Sequence, residues 1–279
     1  MKKRTLALLG LVAALAISLA GCTDKAPQDT ETPDPTGSTP VAESDIAYIQ
    51  SKGTLVVGVT DYPPLDYQDE SGEWVGFDAD MCRAVAEALG VECEFVSINW
   101  NNKLMELEGK SIDVIWNGMT LTDEVANGSS PTIGYLSNGQ VLVLKAENAA
   151  KFEAGELALA DFTPAVEAGS SGEKAAAAAG LSCVPVEAQV DALMEVAAGT
   201  SDSCVIDTLL ANVSTGEGTD YADLVIAADL EVEMDVAACR KGSDLTEFIN
   251  EQMVTLYENG TTLQLAEQYG IADMVVKPE

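Results

Sequence analysis

The 279-residue sequence contains no histidine and few basic residues. Without histidine there is no Ser-His-Asp triad, no histidine zinc ligand and no side chain whose ordinary pKa lies near 6.5. The chain has 46 acidic residues against 14 basic ones, a formal net charge of −32. Nucleic acids and anionic lipid surfaces attract cations, so this charge argues against both as binding partners. Apolar residues still make up 47% of the chain, which suits a globular protein of one or two domains.

Cysteine is also scarce, and it lacks metal-binding spacing. Five cysteines follow Cys22, and no two of them form a C-x-x-C pair. We therefore expect no metal site and no cofactor. Apolar neighbours predict that these five side chains are small buried hydrophobic residues, with one disulfide as the alternative. They are Cys82, Cys93, Cys183, Cys204 and Cys239.

The N-terminus has the features of an export signal. A basic stretch, residues 2–4, precedes an apolar run, residues 6–20, that is too short to span a bilayer comfortably. The run ends in Leu19-Ala20-Gly21-Cys22, which resembles the lipobox of bacterial lipoproteins. This resemblance implies a signal peptide over residues 1–21, a lipid on the Cys22 thiol and an extracytoplasmic, membrane-anchored protein. An ordinary signal peptide that ends near a cysteine is the alternative.

The composition changes after the lipobox. Residues 22–45 are rich in Thr, Pro, Asp, Ser and Glu and show no apolar periodicity, so we expect a disordered linker. Removal of residues 1–21 takes away three basic residues and no acidic one, which leaves 11 basic against 46 acidic residues, a net charge of −35. The mature protein is thus even more acidic than the whole chain.

The rest of the chain alternates between predicted strands and helices, which indicates an α/β protein with mostly parallel sheets. The predicted strands are 54–60, 93–98, 112–116, 140–144, 182–186, 203–206 and 232–238. The predicted helices are 78–89, 103–107, 173–179, 188–198, 245–257 and 261–269. The pattern occurs twice and is joined by extended segments, which predicts two lobes with a cleft between them. Ligands of open α/β sheets bind beyond the carboxyl ends of the strands.

Several segments, in order, resemble the bacterial extracellular solute-binding proteins of family 3. They are Leu55-Val-Val-Gly-Val with Tyr62-Pro-Pro, Gly76-Phe-Asp-Ala-Asp80, Trp100 with Leu107-Glu-Gly-Lys-Ser-Ile-Asp113, Asn117-Gly-Met-Thr-Leu-Thr-Asp-Glu124, Ala168-Gly-Ser-Ser-Gly172, Cys204-Val-Ile-Asp207 and Asn259-Gly-Thr261. The resemblance implies a two-lobed, type II periplasmic-binding-protein fold. In such a fold each lobe is a mostly parallel sheet flanked by helices, and two crossover segments join the lobes. We expect lobe 1 to comprise residues 46–145 and 232–279, and lobe 2 residues 146–231.

The candidate ligand-binding residues lie at predicted strand ends or in the matching motifs. They are Asp61, Tyr62, Trp100, Asn117, Gly118, Thr120, Ser170, Ser171 and Asp207. The aromatic residues offer flat apolar faces, and the backbone at 169–171 precedes a helix, which suits an anion. Resemblance assigns Asp207 to a ligand amino group. The alternatives are core packing for the two aromatic residues and helix capping for Ser170 and Asp207.

One position departs from the family pattern. The family places an arginine, which clamps the ligand carboxylate, where this chain has Val125. Either the Ser170 and Ser171 amides or Lys103 hold a carboxylate, or the ligand lacks one. Since no side chain has an ordinary pKa between 6 and 8, we also expect ligand binding to be almost independent of pH in that range.

The resemblance implies a monomeric, non-enzymatic protein that binds a small amino acid or amine and delivers it to the permease of an ABC importer. Two alternatives remain open. One is a sensing or signalling lipoprotein without a transporter. The other is an enzyme, because cyclohexadienyl dehydratases share this fold and place a catalytic acid in the same cleft.

The lipobox yields a direct test. Replacement of Cys22 by Ala removes the thiol that would carry the lipid. The variant should be released from the membrane or misprocessed, as measured by cell fractionation and by the mass of the mature chain. A Cys22→Ala protein that is cleaved normally and stays bound to the membrane would contradict the assignment.

Overall fold

The computed structural model describes residues 44–278. The predicted signal peptide, Cys22 and almost all of the predicted linker lie outside the described residues. Within residues 44–278, no helix is both long and apolar enough to cross a bilayer. The first helix already begins at Asp45, with the Ser44 hydroxyl accepting a hydrogen bond from the Ala47 amide as its N-cap.

The elements alternate as the sequence predicts. The first part contains α1 (Asp45–Lys52), β1 (Thr54–Val59), β2 (Tyr67–Gln68), β3 (Trp74–Val75), α2 (Phe77–Leu89), β4 (Glu92–Ser97), α3 (Lys103–Glu108), β5 (Val114–Thr120), α4 (Asp123–Gly128), β6 (Ser130–Pro131) and β7 (Leu136–Lys145). The second part contains α5 (Ala146–Glu153), β8 (Ala165–Glu167), α6 (Ser171–Ala178), β9 (Val184–Val186), α7 (Gln189–Ala198), β10 (Ser203–Asp207), α8 (Thr208–Ser214), β11 (Leu224–Cys239), α9 (Leu245–Glu258) and α10 (Thr261–Gln268).

Two sets of parallel strands flank a central antiparallel pair. The sheet order is β4-β1-β5-β11-β7-β10-β8-β9, with β6 attached to β11. Strands β4, β1 and β5 are parallel to one another, as are β10, β8 and β9. The two crossover strands, β11 and β7, are antiparallel to each other and to their outer neighbours. The type II periplasmic-binding-protein fold expected from the sequence is confirmed.

The sheet differs from the expectation of one separate sheet in each lobe. Strand β11 is 16 residues long and pairs with β7 from Leu224 opposite Lys145 to Asp235 opposite Leu136. Because the two crossover segments bond to each other along this length, the hydrogen bonding runs through both halves. The lobe limits of 46–145 with 232–279 and of 146–231 therefore stay a prediction.

A buried ion-pair cluster joins α1, the residue before β5 and the residue after β11. The Arg240 guanidinium pairs with Asp45 at 3.0 Å and with Asp113 at 3.2 Å, and Lys52 also pairs with Asp113 at 2.5 Å. Arg240 donates a further hydrogen bond to the Ile112 carbonyl at 2.7 Å. Arg240 thus has a structural role at the edge of β11.

The cysteines behave mainly as small apolar residues. Cys82, Cys204 and Cys239 are buried, whereas Cys93 and Cys183 are partly exposed, and all five are free thiols. Burial raises the pKa of the Cys239 thiol to about 12, so this side chain is protonated at neutral pH. The alternative of a disulfide does not apply to these five residues.

Candidate functional site

A cavity lies beyond the carboxyl ends of β1, β5, β8 and β10, where the topology of the sheet predicts a ligand site. It encloses about 400 Å³ of space between the lining atoms, part of it open to solvent. Its lining residues are Thr60, Tyr62, Trp100, Lys103, Asn117, Gly118, Met119, Thr120, Thr122, Val125, Glu167, Gly169, Ser170, Ser171, Lys174, Gln189 and Asp207.

The structure brings most of the candidate residues together in this cavity. Eight of the nine line it, namely Tyr62, Trp100, Asn117, Gly118, Thr120, Ser170, Ser171 and Asp207. Asp61 does not. Its side chain is exposed and lies in an adjoining groove with Asn99 and Asp191. Because Asp61 comes directly after Thr60 at the end of β1, its side chain leaves the chain on the other side.

Asp207 is buried and held by neutral donors. Its carboxylate accepts hydrogen bonds from the side-chain amides of Gln140 and Gln189, and its own backbone N–H donates to Gln189 Oε1 at 2.8 Å. Although Asp207 precedes α8, its side chain makes no capping hydrogen bond, so the capping alternative is wrong. Burial raises the pKa of Asp207 to about 7, and the charge of Glu233 adds to the rise.

Glu167 is a second buried acid that the candidate list lacks. It ends β8, its side chain is 2% exposed, and its Oε1 atom has no hydrogen-bond partner in the structure. Burial raises the pKa of Glu167 to about 8, and the nearby Asp207 carboxylate contributes to the rise. A buried carboxyl oxygen without a partner is uncommon in folded proteins and costs free energy.

Two predicted residues mainly build the frame of the cavity. The side chain of Asn117 accepts hydrogen bonds from the Thr60 amide and hydroxyl, and it donates to the Thr60 carbonyl and to Asp66. These four bonds use the full hydrogen-bonding capacity of the Asn117 side chain. Gly118 has φ +54, and a Cβ atom there would lie 2.6 Å from the Tyr62 ring. Glycine therefore allows the strand to pass closely behind Tyr62.

Two backbone amides of the loop before α6 already donate hydrogen bonds within the protein. The Gly169 amide donates to Glu173 Oε2 at 2.7 Å, and the Ser170 amide donates to the Glu167 carbonyl at 3.2 Å. The Ser170 hydroxyl accepts from the Glu173 amide at 3.1 Å as the N-cap of α6. The capping alternative for Ser170 is thus correct, and the Glu173 carboxylate already occupies the position that was expected to suit an anion.

Two lysines join the halves of the protein across the cavity. Lys103 is 6% exposed, and its Nζ donates to the Trp100 carbonyl at 3.2 Å and to the Gly169 carbonyl at 2.9 Å. Burial lowers the pKa of Lys103 to about 8. Lys174 on α6 pairs with Glu124 on α4 at 2.6 Å. These contacts tie the loops of the two strand sets to each other over the cavity.

The pKa values of the cavity residues run against the premise of pH-independent binding, which stays a prediction. Asp207, Glu167 and Lys103 all line the cavity, and burial shifts each of their pKa values to about 7 or 8. Unperturbed pKa values do not contain this effect, because it depends on how completely the fold removes each group from water. Ligand binding in this cavity should therefore be linked to protons at neutral pH.

The list of candidate residues lacks Glu167, Gln189 and Glu233, and only Glu167 could have been recognised from the sequence. Glu167 ends a strand directly before the predicted loop, so the rule of carboxyl strand ends could have found it. Gln189 begins a helix and Glu233 lies within a crossover strand. Neither position has a local pattern that predicts its contact with Asp207 or with Thr120, whose hydroxyl donates to Glu233 at 2.8 Å.

Comparison with known proteins agrees with this architecture. Residues 55–272 match the family model of bacterial extracellular solute-binding proteins, family 3. The chain belongs to this family. A solved structure of the P235GK mutant of ArgBP from T. maritima has a TM-score of 0.74 and 33% identity, over 81% of this chain and 99% of that one. L-cystine-binding protein TcyJ from Escherichia coli (strain K12) is 24% identical over 81% of this chain and 86% of its own length.

The family also has an enzyme among the relatives of this chain. Cyclohexadienyl dehydratase from Pseudomonas aeruginosa is 30% identical to it, over 49% of this chain and 52% of the enzyme. The other relatives named above are binding proteins. The family model describes extracellular solute-binding proteins, and one relative, from Haemophilus influenzae, is named as a probable amino-acid ABC transporter-binding protein; it is 30% identical over 79% of this chain and 86% of its own length.

Glu167 gives a stability prediction whose sign follows from its raised pKa. Between about pH 4.5 and 8 the unfolded chain has lost the Glu167 proton while the folded chain keeps it. Stability should therefore fall as the pH rises from 5 to 8. Glu167→Gln should reduce the slope of the unfolding free energy against pH by up to ~1.4 kcal/mol per pH unit, which corresponds to a few degrees in Tm.

Thermal unfolding between pH 5 and 8 measures this effect. Glu147→Gln, which removes an exposed carboxylate on α5, is the matched control and should keep the slope of the unmodified protein. Equal slopes for the unmodified protein and Glu167→Gln would show that Glu167 titrates normally.

Proposed function

We propose that this protein binds a small amino acid or related amine in the cavity and delivers it to the permease of an ABC importer. In this account the protein works as a monomer, anchored outside the cell membrane through Cys22. The observation that carries the proposal is a buried carboxyl group, Asp207, in a partly open cavity between two sets of parallel strands. A carboxylate of this kind suits an ammonium group.

The relatives support the same class of ligand. ArgBP from T. maritima is known in an arginine-bound form, and this chain has 33% identity with that truncated protein and a TM-score of 0.68, over 75% of this chain and 99% of that one. TcyJ is an L-cystine-binding protein. Both names refer to solutes that carry amino groups, which the Asp207 carboxylate would be able to bind.

An enzyme on the same fold is the second candidate, and one observation favours it. Glu167 lines the cavity with a pKa raised to about 8 by burial, which would let it act as a general acid at neutral pH. A dehydratase would release water from a cyclohexadienyl acid. Incubation with such an acid and detection of an aromatic product by absorbance would distinguish the enzyme from a binding protein.

A sensing lipoprotein would use the same cavity without transport. The difference lies in the partner, so uptake of radiolabelled ligand by cells with and without the cognate permease separates the two functions. Loss of uptake when this protein is deleted would indicate transport.

The class of ligand is open to a direct screen. A ligand that binds only the folded state raises the melting temperature, so a thermal-shift screen of amino acids, amines, short peptides and small sugars should show shifts only for compounds with an amino group. Shifts confined to sugars would contradict the proposal.

Asp207 provides the sharpest mutational test of the proposed site. Removal of one partner from a buried charge pair costs about 2–5 kcal/mol, so Asp207→Ala should weaken binding of the best amine from the screen by at least ~30-fold. The control, Asp220→Ala, removes an exposed carboxylate and should leave affinity unchanged. Isothermal calorimetry gives the affinities, and a thermal melt confirms that each variant is folded. Unchanged affinity in Asp207→Ala would remove Asp207 from the site.

A further inference from the structure

The cavity contains two separate acidic positions. Glu167 ends β8 and Asp207 ends β10, and these parallel strands are neighbours with Ala165 opposite Cys204. Glu167 is two residues beyond its paired position and Asp207 three, so the two side chains leave the sheet on opposite faces. Both residues nevertheless line the cavity. The two carboxyl groups therefore point in different directions and do not form one site that binds a single group.

The two positions differ in what they already bind. Asp207 accepts hydrogen bonds from Gln140 and Gln189, whereas Glu167 leaves Oε1 without a partner although only 2% of the side chain is exposed. A buried polar atom of this kind in a ligand cavity indicates a missing hydrogen-bond partner. A cationic group of a ligand would supply that donor and the opposite charge together.

The same cavity offers little to a carboxylate. Both arginines among the described residues are engaged elsewhere, Arg83 with Asp80 and Arg240 with Asp45 and Asp113. Val125 is buried and lines the cavity at the position where the family pattern has an arginine.

The two lysines and two of the loop amides are engaged in part or in full as well. Lys174 is paired with Glu124, and Lys103 uses two of its three N–H groups on the Trp100 and Gly169 carbonyls. The Gly169 and Ser170 amides donate within the protein. A ligand carboxylate would also meet Glu167, Asp207 and Glu233, which Thr120 and Gln140 hold beside the cavity.

We propose that the ligand is a compact dication without a carboxylate, such as a diamine or an aminoalkylguanidine, with one cationic group at Asp207 and the second at Glu167. This inference rests on the proposed function and specifies its ligand class. Glu167 is then a specificity-determining residue that selects for a second positive charge. The net charge of −32 would favour the approach of such a ligand.

Matched pairs of probes measure separately how a ligand carboxylate and how a second positive charge affect the affinity. The first pair is L-arginine and its decarboxylated form, 4-aminobutylguanidine. The second pair is L-ornithine and 1,4-diaminobutane, and n-butylamine serves as a monocation. Calorimetry at pH 7.5 should give at least tenfold tighter binding for the decarboxylated member of at least one pair. Glu167→Gln should weaken the binding of that decarboxylated probe at least tenfold and the binding of n-butylamine less than threefold.

The controls and the possible outcomes distinguish failure of the dication assignment from failure of the proposed amine-binding function. Glu147→Gln should match the unmodified protein, and a thermal melt checks that Glu167→Gln is folded. Tighter binding of L-arginine or L-ornithine than of both decarboxylated probes would overturn the dication assignment and leave the proposed amine-binding function in place. Equal weakening of the dication and n-butylamine in Glu167→Gln would also overturn it. If no amine or amino acid binds at all, the proposed function fails as well.

Discussion

Asp207 accepts its hydrogen bonds from two glutamine side chains, and neighbouring buried carboxyl groups likewise rely on neutral donors. Asp66 accepts from Asn117, Asp78 from the Tyr135 hydroxyl, and Asp235 from Asn138. Ionised carboxylates buried without counter-ions are costly, so their pKa values rise and they hold protons instead. Burial raises the pKa of Asp78 to about 7, and it raises the pKa of Asp66 and of Asp235 well above the ordinary range. The buried region that contains these carboxyl groups is thus less negative than its composition suggests.

This constraint links the cavity to the strands that connect the two halves. Gln140 lies on β7 and Glu233 on β11, and Gln140 Nε2 contacts both Glu233 and Asp207. A cation that ionises Asp207 would therefore act on hydrogen bonds of both crossover strands. Lys103 and Lys174 close the opposite side of the cavity, because each contacts the other half. In the proposed account, ligand charge and closure depend on the same few side chains.

Much of the fold could be predicted from local patterns. Apolar spacing identified α2, whose buried face includes Met81, Val85 and Leu89, and Gly90 ends this helix at φ +79. Short elements were missed. Helices α4 and α8 have six and seven residues, too few for a clear apolar period. The joined sheet was missed because pairing between β7 and β11 depends on residues about 90 positions apart.

The candidate site was predicted in its position more than in its chemistry. Strand ends and motifs identified Tyr62 and Asp207, since these features are local. The shifted pKa of Glu167 depends on burial and on the neighbouring Asp207 charge, and the sequence carries neither quantity. The occupied amides of Gly169 and Ser170 are a similar case, because the Glu173 carboxylate accepts from the first and the Glu167 carbonyl from the second. Residue identity could not tell an open anion site from a filled one.

In the proposed site, a cationic ligand replaces protons on the buried carboxyl groups of Asp207 and Glu167. Calorimetric titration with 4-aminobutylguanidine at pH 7, in two buffers with different ionisation enthalpies, counts the protons exchanged on binding. With pKa values of about 7 for Asp207 and about 8 for Glu167, the account predicts the release of roughly one proton or more per ligand bound. Binding with no net release, or with proton uptake, would contradict it.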